Sequence, residues 1–377
     1  MRVLVVGRTY ALEVNRRKWQ YLGPDVELAF VTPRRIVHTL KEFVAEPSHE
    51  YAHFFVRAVG TNRLSGFWID PVGFARVIAC FEPNLVQIDE EPASPATLEM
   101  SLIAKGVGVM TIFFSWENLP LKRNWLASFA YALNLRLADG AIVGSKEAAQ
   151  ILRYSGFSKP ITVIPQLGVD PAVFKPQPSK QGIPGLESST FTIGYVGRIT
   201  PEKGLWVLMD ALLLLRSYSW QLLLVGEGPI RKDWLAEAQK KGIADRVIWV
   251  PTVPHQEVAR YINAMDVLVL PSLTTPRWKE QFGHVLIEAM ACGVPVIGSS
   301  SGAIPEVIGD AGLVVPEGIP GALAEAINLL RISEIQRMSL GQRGRARVLE
   351  LYTNERIGHQ TLCFWREVID ARKSFCR

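Results

Sequence analysis

Cysteine is scarce in this chain: Cys80, Cys292, Cys363 and Cys376 stand far apart and form no CxxC pair. That spacing argues against a disulfide framework or a zinc site and fits a reducing cytosol. Long apolar runs are missing too, since no segment approaches the ~18 uninterrupted apolar residues of a membrane span. The opening Met1-Arg-Val-Leu-Val-Val-Gly is too short for a signal peptide and reads as a first strand. Charge of one sign is not concentrated. The 41 Lys and Arg against 36 Asp and Glu leave +5, without a basic run that would suggest nucleic acid. A mild positive balance suits an anionic ligand or an anionic membrane surface. The chain also lacks an Asp-x-Asp metal motif, an internal repeat and any low-complexity tract.

What is present is a globular composition, 48% hydrophobic and 20% charged. At 377 residues the chain is too long for one ordinary core, so two domains are expected. Short β-branched apolar runs alternate with helical segments. In the first half the strand candidates are Arg2–Val6, Val26–Val31, Leu85–Ile88, Val107–Phe114, Gly140–Val143 and Ile161–Ile164. In the second half they are Phe191–Val196, Gln221–Val225, Val247–Val250, Val267–Leu270, Val294–Ile297 and Gly312–Val315. Strands alternating with helices indicate parallel sheets built from βαβ units. Between the two sets, the Pro/Gly/Ser-rich stretch from Lys175 to Gly185 marks a linker. The pattern predicts two doubly wound α/β domains of Rossmann-like type, with a cleft between them at the strand ends. From about Ile319 onward the chain reads as helical, with a break near Tyr352.

The segment from Glu280 to Ser301 holds the most chemistry. Read as a helix from about Gly283, it is apolar around nearly its whole circumference, which marks a buried helix. Glu288 sits in its middle, and a carboxylate there is costly unless something donates hydrogen bonds to it. Pairing with His284, one turn earlier, is one bland explanation. Glu280-Gln-Phe-Gly places a second carboxylate and a Gly turn at the helix start, where free backbone N–H groups favour anions.

Two Gly-containing turns precede this segment. Ile193-Gly-Tyr-Val-Gly-Arg-Ile-Thr-Pro-Glu-Lys-Gly is a strand, a turn at Gly197, and two cations, Arg198 and Lys203, ahead of a helix. Such cations can hold a diphosphate, Arg by its fork and Lys as a point charge, or they are simply solvated charges at a strand end. Leu222-Leu-Leu-Val-Gly-Glu-Gly-Pro repeats the strand-to-turn pattern at Gly226, and Val267-Leu-Val-Leu-Pro-Ser ends a buried strand just before Glu280.

Together these elements resemble the nucleotide-sugar-binding half of GT-B glycosyltransferases of the retaining group 1, or family 4, type with its E-x7-E motif. The motif runs from Glu280 to Glu288, and the order and spacing of the preceding turns match the family's. Val163-Ile-Pro-Gln-Leu-Gly-Val-Asp resembles the family's interdomain stretch. The resemblance implies a donor-binding domain over 176–355. An acceptor-side domain over 1–175 would be completed by the C-terminal helix at about 356–377. It also implies residue roles. Arg198 and Lys203 would hold the diphosphate leaving group, Glu288 the ribose hydroxyls and Glu280 the donor sugar. The amides of Gln281, Phe282 and Gly283 would meet sugar hydroxyls or the diphosphate, near the turns at Gly197 and Gly226. Cations and helix-end amides aimed at a departing diphosphate lower the barrier. The family's chemistry implies no catalytic metal and no other cofactor.

The first half departs from the family pattern. Its first turn is Gly7-Arg8-Thr-Tyr, with a single glycine where two are usual. A later loop reads Phe113-Phe-Ser-Trp-Glu-Asn-Leu-Pro, so Trp116, Glu117 and Asn118 stand where a histidine is usual. Glu117 could orient an acceptor hydroxyl or steady positive charge on the sugar, or be plain loop surface. Glu91, in Asp89-Glu-Glu91 after a strand end, reads as part of an acceptor-side loop. The basic and aromatic residues of Leu121–Arg136 fit either an interfacial helix on anionic lipid or a domain helix whose aromatic stripe packs on the sheet. The second is expected, and the cluster Arg16–Trp19 reads the same way. The overall expectation is a cytoplasmic enzyme, with peripheral contact at the inner membrane face left open. It would transfer a sugar from a nucleotide-sugar donor to a glycan or lipid-linked hydroxyl acceptor. A nucleotide-sugar epimerase or hydrolase of the same fold, or a non-catalytic binding subunit, are the alternatives.

Overall fold

The structure is a computed structural model that describes residues 1–38, 41–61, 67–177 and 182–375. Cys376 and the middle of the Lys175–Gly185 stretch lie outside the described residues. The chain divides into two compact units, one formed by Met1–Gly168 with Asn354–Arg377, the other by Val169–Thr353. The division falls ahead of the Pro-rich stretch.

In the first unit the strands are β1 (Arg2–Val6), β2 (Glu27–Pro33), β3 (Arg35–His38), β4 (Lys41–Val44), β5 (Ala52–Val56) and β6 (Ala58–Val59). They continue with β7 (Trp68–Ile69), β8 (Leu85–Ile88), β9 (Met110–Ser115), β10 (Gly140–Val143) and β11 (Ile161–Val163). Seven of them form one sheet in the order β11-β10-β9-β8-β1-β2-β5, with every neighbouring pair parallel. β3–β4 and β6–β7 are short antiparallel hairpins. The central strands are buried on both faces, as continuous Val/Ile/Leu runs require. β5 was not expected. Among the described residues it pairs only with β2, most of its side chains are partly or fully exposed, and Ala-His-Phe-Phe-Val lacks the continuous β-branched run of a central strand. β9 begins later than Val107 because Val107 and Gly108 cap the preceding helix, Gly108 with φ 77°.

The last helix, Asn354–Phe375, belongs to this first unit. Trp365 stacks on Trp19 with ring centroids 5.3 Å apart, and its indole N–H donates to Gln87 Oε1 at 2.7 Å. Arg16 and Lys18 are buried there, donating to the carbonyls of Tyr10 and Gln166, so the Arg16–Trp19 cluster is internal structure.

The second unit holds β12 (Thr192–Val196), β13 (Gln221–Val225), β14 (Val247–Val250), β15 (Val267–Leu270), β16 (Val296–Ser299) and β17 (Leu313–Val315). They form one parallel sheet in the order β14-β13-β12-β15-β16-β17. β16 starts at Val296 rather than Val294 because Gly293 turns the chain at φ 73° and Pro295 has no N–H to donate. In both sheets the strand order reverses once, between β1 and β8 and between β12 and β15. The crevice outside the carboxyl ends at such a reversal is where open α/β sheets bind ligands. Each unit therefore presents one expected site.

Candidate functional site

In the second unit, the turns after β12 and β15 interlock. Gly204, with φ 70°, ends the short 3-10 turn Pro201–Lys203, and a Cβ there would lie 1.8 Å from the Pro271 carbonyl oxygen. Gly226 follows β13 with φ 137°, and its Cβ would lie 2.0 Å from the Gly197 carbonyl oxygen. Both positions demand glycine on two counts, conformation and space. The close approach sets Lys203 against the loop that carries Glu280. Lys203 Nζ donates to Glu280 Oε2 at 2.6 Å, and Ser272 Oγ donates to the same oxygen at 2.7 Å. The Lys203 ammonium also lies 4.9 Å from the centre of the Trp278 ring. The Glu280 main chain is held by the Ala303 N–H at 3.0 Å. Glu280 is buried, and its charge is matched by the lysine and the hydroxyl.

Arg198 behaves differently. Its side chain is 60% exposed, with Glu202 Oε1 4.0 Å from a guanidinium nitrogen, while its carbonyl accepts from the Tyr195 hydroxyl at 2.6 Å. Gln281 is exposed, and Phe282 is buried with its ring 4.9 Å from that of His284. Gly283 (φ 82°) is the N-cap of the helix His284–Ala291. That helix buries Leu286, Ile287, Ala289 and Met290, as its apolar circumference implied. Burial holds the His284 imidazole below its ordinary pKa, against the opposing pull of Glu288 and Glu280. Glu288 Oε1 lies 2.8 Å from His255 Nε2, a partner on another helix. No motif marks His255. It is a helix-start histidine whose meaning comes only from the packing of His255–Ile262 near His284–Ala291.

In the first unit the reversal point carries Gly7 and Arg8 after β1 and Asp89-Glu90-Glu91 after β8. Arg8 grips Glu90 through Nε at 2.8 Å and Nη2 at 2.5 Å, and its Nη1 donates to the Thr61 carbonyl at 2.7 Å. Asp89 accepts from the Tyr10 hydroxyl and, at 2.7 Å, from Gln87 Nε2. Burial pushes the nearby Lys18 ammonium down to about 8, with Asp89 opposing the shift. Glu91 accepts from Ser115 Oγ at 2.6 Å and from the Trp116 N–H at 2.7 Å. Burial pushes its carboxyl up to about 7. The two hydrogen bonds resist the shift, while the neighbouring Glu117 and Glu90 add to it.

Glu117 is not loop surface. It is buried and paired with Arg123, whose guanidinium lies 3.8 Å from the centre of the Tyr131 ring. Asn118 is buried beside it in sequence, and Trp116 seats its indole where a Cβ on Gly144 would clash, its Nε1 3.3 Å from Gln166 Oε1. The helix Trp125–Leu137 also departs from expectation. Tyr131 packs inward, but Trp125 is 81% and Phe129 57% exposed, so its aromatic stripe does not pack on the sheet. Among the described residues, no three His, Cys, Asp or Glu side chains are placed to hold a metal ion, and no helix is long and apolar enough to cross a membrane.

Residues 177–347, which carry both Gly turns and the Glu280–Glu288 segment, match the family of glycosyl transferases group 1. The match covers a little under half of the chain. Curated relatives match part of the chain. A D-inositol 3-phosphate glycosyltransferase of Segniliparus rotundus is 33% identical over 204 residues, covering 51% of this chain and 44% of the relative. An N-acetyl-alpha-D-glucosaminyl L-malate synthase of Bacillus anthracis is 39% identical over 152 residues, covering 40% and 38%. The chain thus spans less than half the length of these two relatives. In fold the likeness is wider. A sucrose-phosphate synthase from Thermosynechococcus elongatus aligns with TM-score 0.77 at 22% identity, over 98% of this chain and 100% of the other. Anabaena HepE, solved with UDP and glucose, aligns with TM-score 0.75 at 18% identity, over 97% and 100%. The two units therefore have the Rossmann-like folds of the GT-B class.

Proposed function

We propose that this chain is a retaining glycosyltransferase that moves a sugar from a nucleoside diphosphate sugar to a hydroxyl acceptor in polysaccharide, glycolipid or cell-envelope synthesis. The observation that carries the proposal is the meeting of Lys203 and Glu280 at the reversal point of the second sheet, within the segment that matches the transferase family. A cation with only 13% of its side chain exposed, beside the start of a helix, is a preformed seat for a diphosphate that gains charge as it departs. Lys203 and the exposed Arg198 hold that diphosphate, with Gly197 and Gly226 letting the backbone approach. Glu280, fixed by Lys203 and Ser272, faces the donor sugar. The amides of Gln281, Phe282 and Gly283 meet its hydroxyls or the diphosphate, and Glu288 accepts from the ribose. The acceptor lies with the first unit, against Gly7, Arg8, Glu91, Trp116 and Asn118, where Glu117 holds an acceptor hydroxyl in place. No catalytic metal is required, because cations of the chain itself neutralise the leaving group.

The test is thermal-shift screening of the full chain with UDP, GDP, ADP and their sugars, followed by product analysis. Stabilisation by one nucleotide and transfer with retained anomeric configuration, undiminished by EDTA, is the expected result. Turnover of donor without acceptor identifies an epimerase or hydrolase instead, and absence of any nucleotide effect refutes the donor site. The enzyme works in the cytoplasm, and exposed Trp125, Leu126 and Phe129 beside Lys122 support peripheral contact with an anionic membrane that holds a lipid-linked acceptor. Sedimentation with phosphatidylglycerol vesicles, lost in Trp125→Ser/Phe129→Ser, is the measurement that checks this contact.

A further inference from the structure

We propose that His255 is a positioning residue for the donor, orienting the Glu288 carboxylate toward the ribose hydroxyls and so setting how strongly the site demands an intact ribose. The inference rests on the donor reading of the second unit. A carboxylate has two oxygens and about four lone-pair sites, and its usefulness to a diol depends on which way it is turned. Glu288 is 13% exposed, on a helix whose neighbouring residues Leu286, Ile287, Ala289 and Met290 are buried. Its Oε1 is held 2.8 Å from His255 Nε2, and among the described residues no hydrogen bond reaches Oε2. His255 is itself anchored. It opens the helix His255–Ile262, and its ring lies 5.2 Å from that of Phe174. The imidazole, half-exposed and tilted 53° to the Phe174 ring, has an aromatic neighbour and a polar edge, and the polar edge meets the carboxylate. One oxygen is committed to the protein, and the other is presented in a fixed direction.

Removing the imidazole frees the carboxylate to rotate and to hydrate. Binding of the nucleotide base and diphosphate then persists, while the energetic reward for the ribose hydroxyls falls. This separates a positioning role from plain packing, which would weaken all nucleotides alike. The probes are UDP, GDP and ADP, each titrated calorimetrically against its 2′,3′-dideoxy counterpart, with the full chain as wild type, His255→Ala, His255→Gln and Glu288→Gln. For the nucleotide that binds, the wild type is expected to prefer the ribose form about tenfold or more, the value of one charge-assisted hydrogen bond. In His255→Ala that preference is expected to shrink to about twofold to threefold. His255→Gln, which keeps an N–H donor, is expected to recover part of it. An unchanged preference in His255→Ala, whether or not overall affinity falls, overturns the proposal. A wild type that does not discriminate ribose from dideoxyribose, with Glu288→Gln also indifferent, overturns the ribose role of Glu288 beneath it. The two failures are thus read from different proteins.

Discussion

Replacing Glu91 by Gln should stabilise the protein at alkaline pH and hardly at all at acid pH. Glu91 lies at the reversal point of the first sheet, where burial lifts its carboxyl from the ordinary 4.5 to about 7. Arg8 neutralises Glu90 and Arg123 pairs with Glu117, whereas Glu91 is held by a hydroxyl and an amide. Because the folded-state value is raised, the native chain keeps a proton that the unfolded chain releases. The resulting stability is fully present below about 4.5, declines as pH rises, and is gone above about 7. A displacement of that size corresponds to about 3 kcal/mol. Gln fits the same contacts, since its carbonyl can accept from the Trp116 N–H. The Ser115 hydroxyl can then accept from its amide while still accepting from the Glu117 N–H at 3.1 Å. The advantage of Glu91→Gln over wild type should therefore grow from under about 1 kcal/mol at pH 5 to about 3 kcal/mol at pH 8. In melting temperature that is roughly 6–12 °C at pH 8 for a unit of this size. Urea titrations followed by tryptophan fluorescence at both pH values, with thermal melts alongside, measure it. The same offset at pH 5 and pH 8 would refute the reasoning, because it would mean that Glu91 is not a desolvated acid.

Lys203→Met removes the ammonium that donates to the buried Glu280 carboxylate, and should cost about 3–5 kcal/mol. Adding Glu280→Gln should recover most of that loss, and a double-mutant cycle in urea reads the coupling. Gly226→Ala should destabilise the second unit by at least about 2 kcal/mol, since a Cβ there meets the Gly197 carbonyl at a φ that other residues avoid. A variant melting like wild type would show that the two turns are not in contact. Trp365→Phe removes the donor to the buried Gln87 Oε1, and should lower the urea-derived stability by about 1–3 kcal/mol. No loss would argue that the C-terminal helix does not seal the first unit.

Much of the architecture is legible in the chain because buried parallel strands are written as continuous β-branched runs. Arg2–Val6, Leu85–Ile88, Gly140–Val143, Gln221–Val225, Val247–Val250 and Val267–Leu270 are strands at those bounds. The edge strand Ala52–Val56 escapes because an edge needs no such run. The segment Glu280–Gly283 and the turns at Gly197 and Gly226 are local motifs whose spacing survives in one dimension. Charge partners do not survive that way. Lys203 and Glu280 are 77 positions apart, and His255 and Glu288 are 33 apart. Nothing in either segment names the other, so sequence alone leaves His284 as the evident neighbour of Glu288. Glu117 likewise reads either as an acceptor-side group or as loop surface until Arg123 and Tyr131 close around it.

The sequence by itself thus determined two doubly wound units, the glycine turns and the carboxylate-bearing helix, because periodicity and backbone conformation are local properties. Only the tertiary structure decided which charges are matched. It committed Lys203 to Glu280, gave Glu288 its histidine and, among the described residues, gave Glu91 a hydroxyl and an amide rather than a cation. The reason is physical: burial and electrostatic pairing depend on distances between segments, and those distances exist only once the sheets have brought their strand ends together.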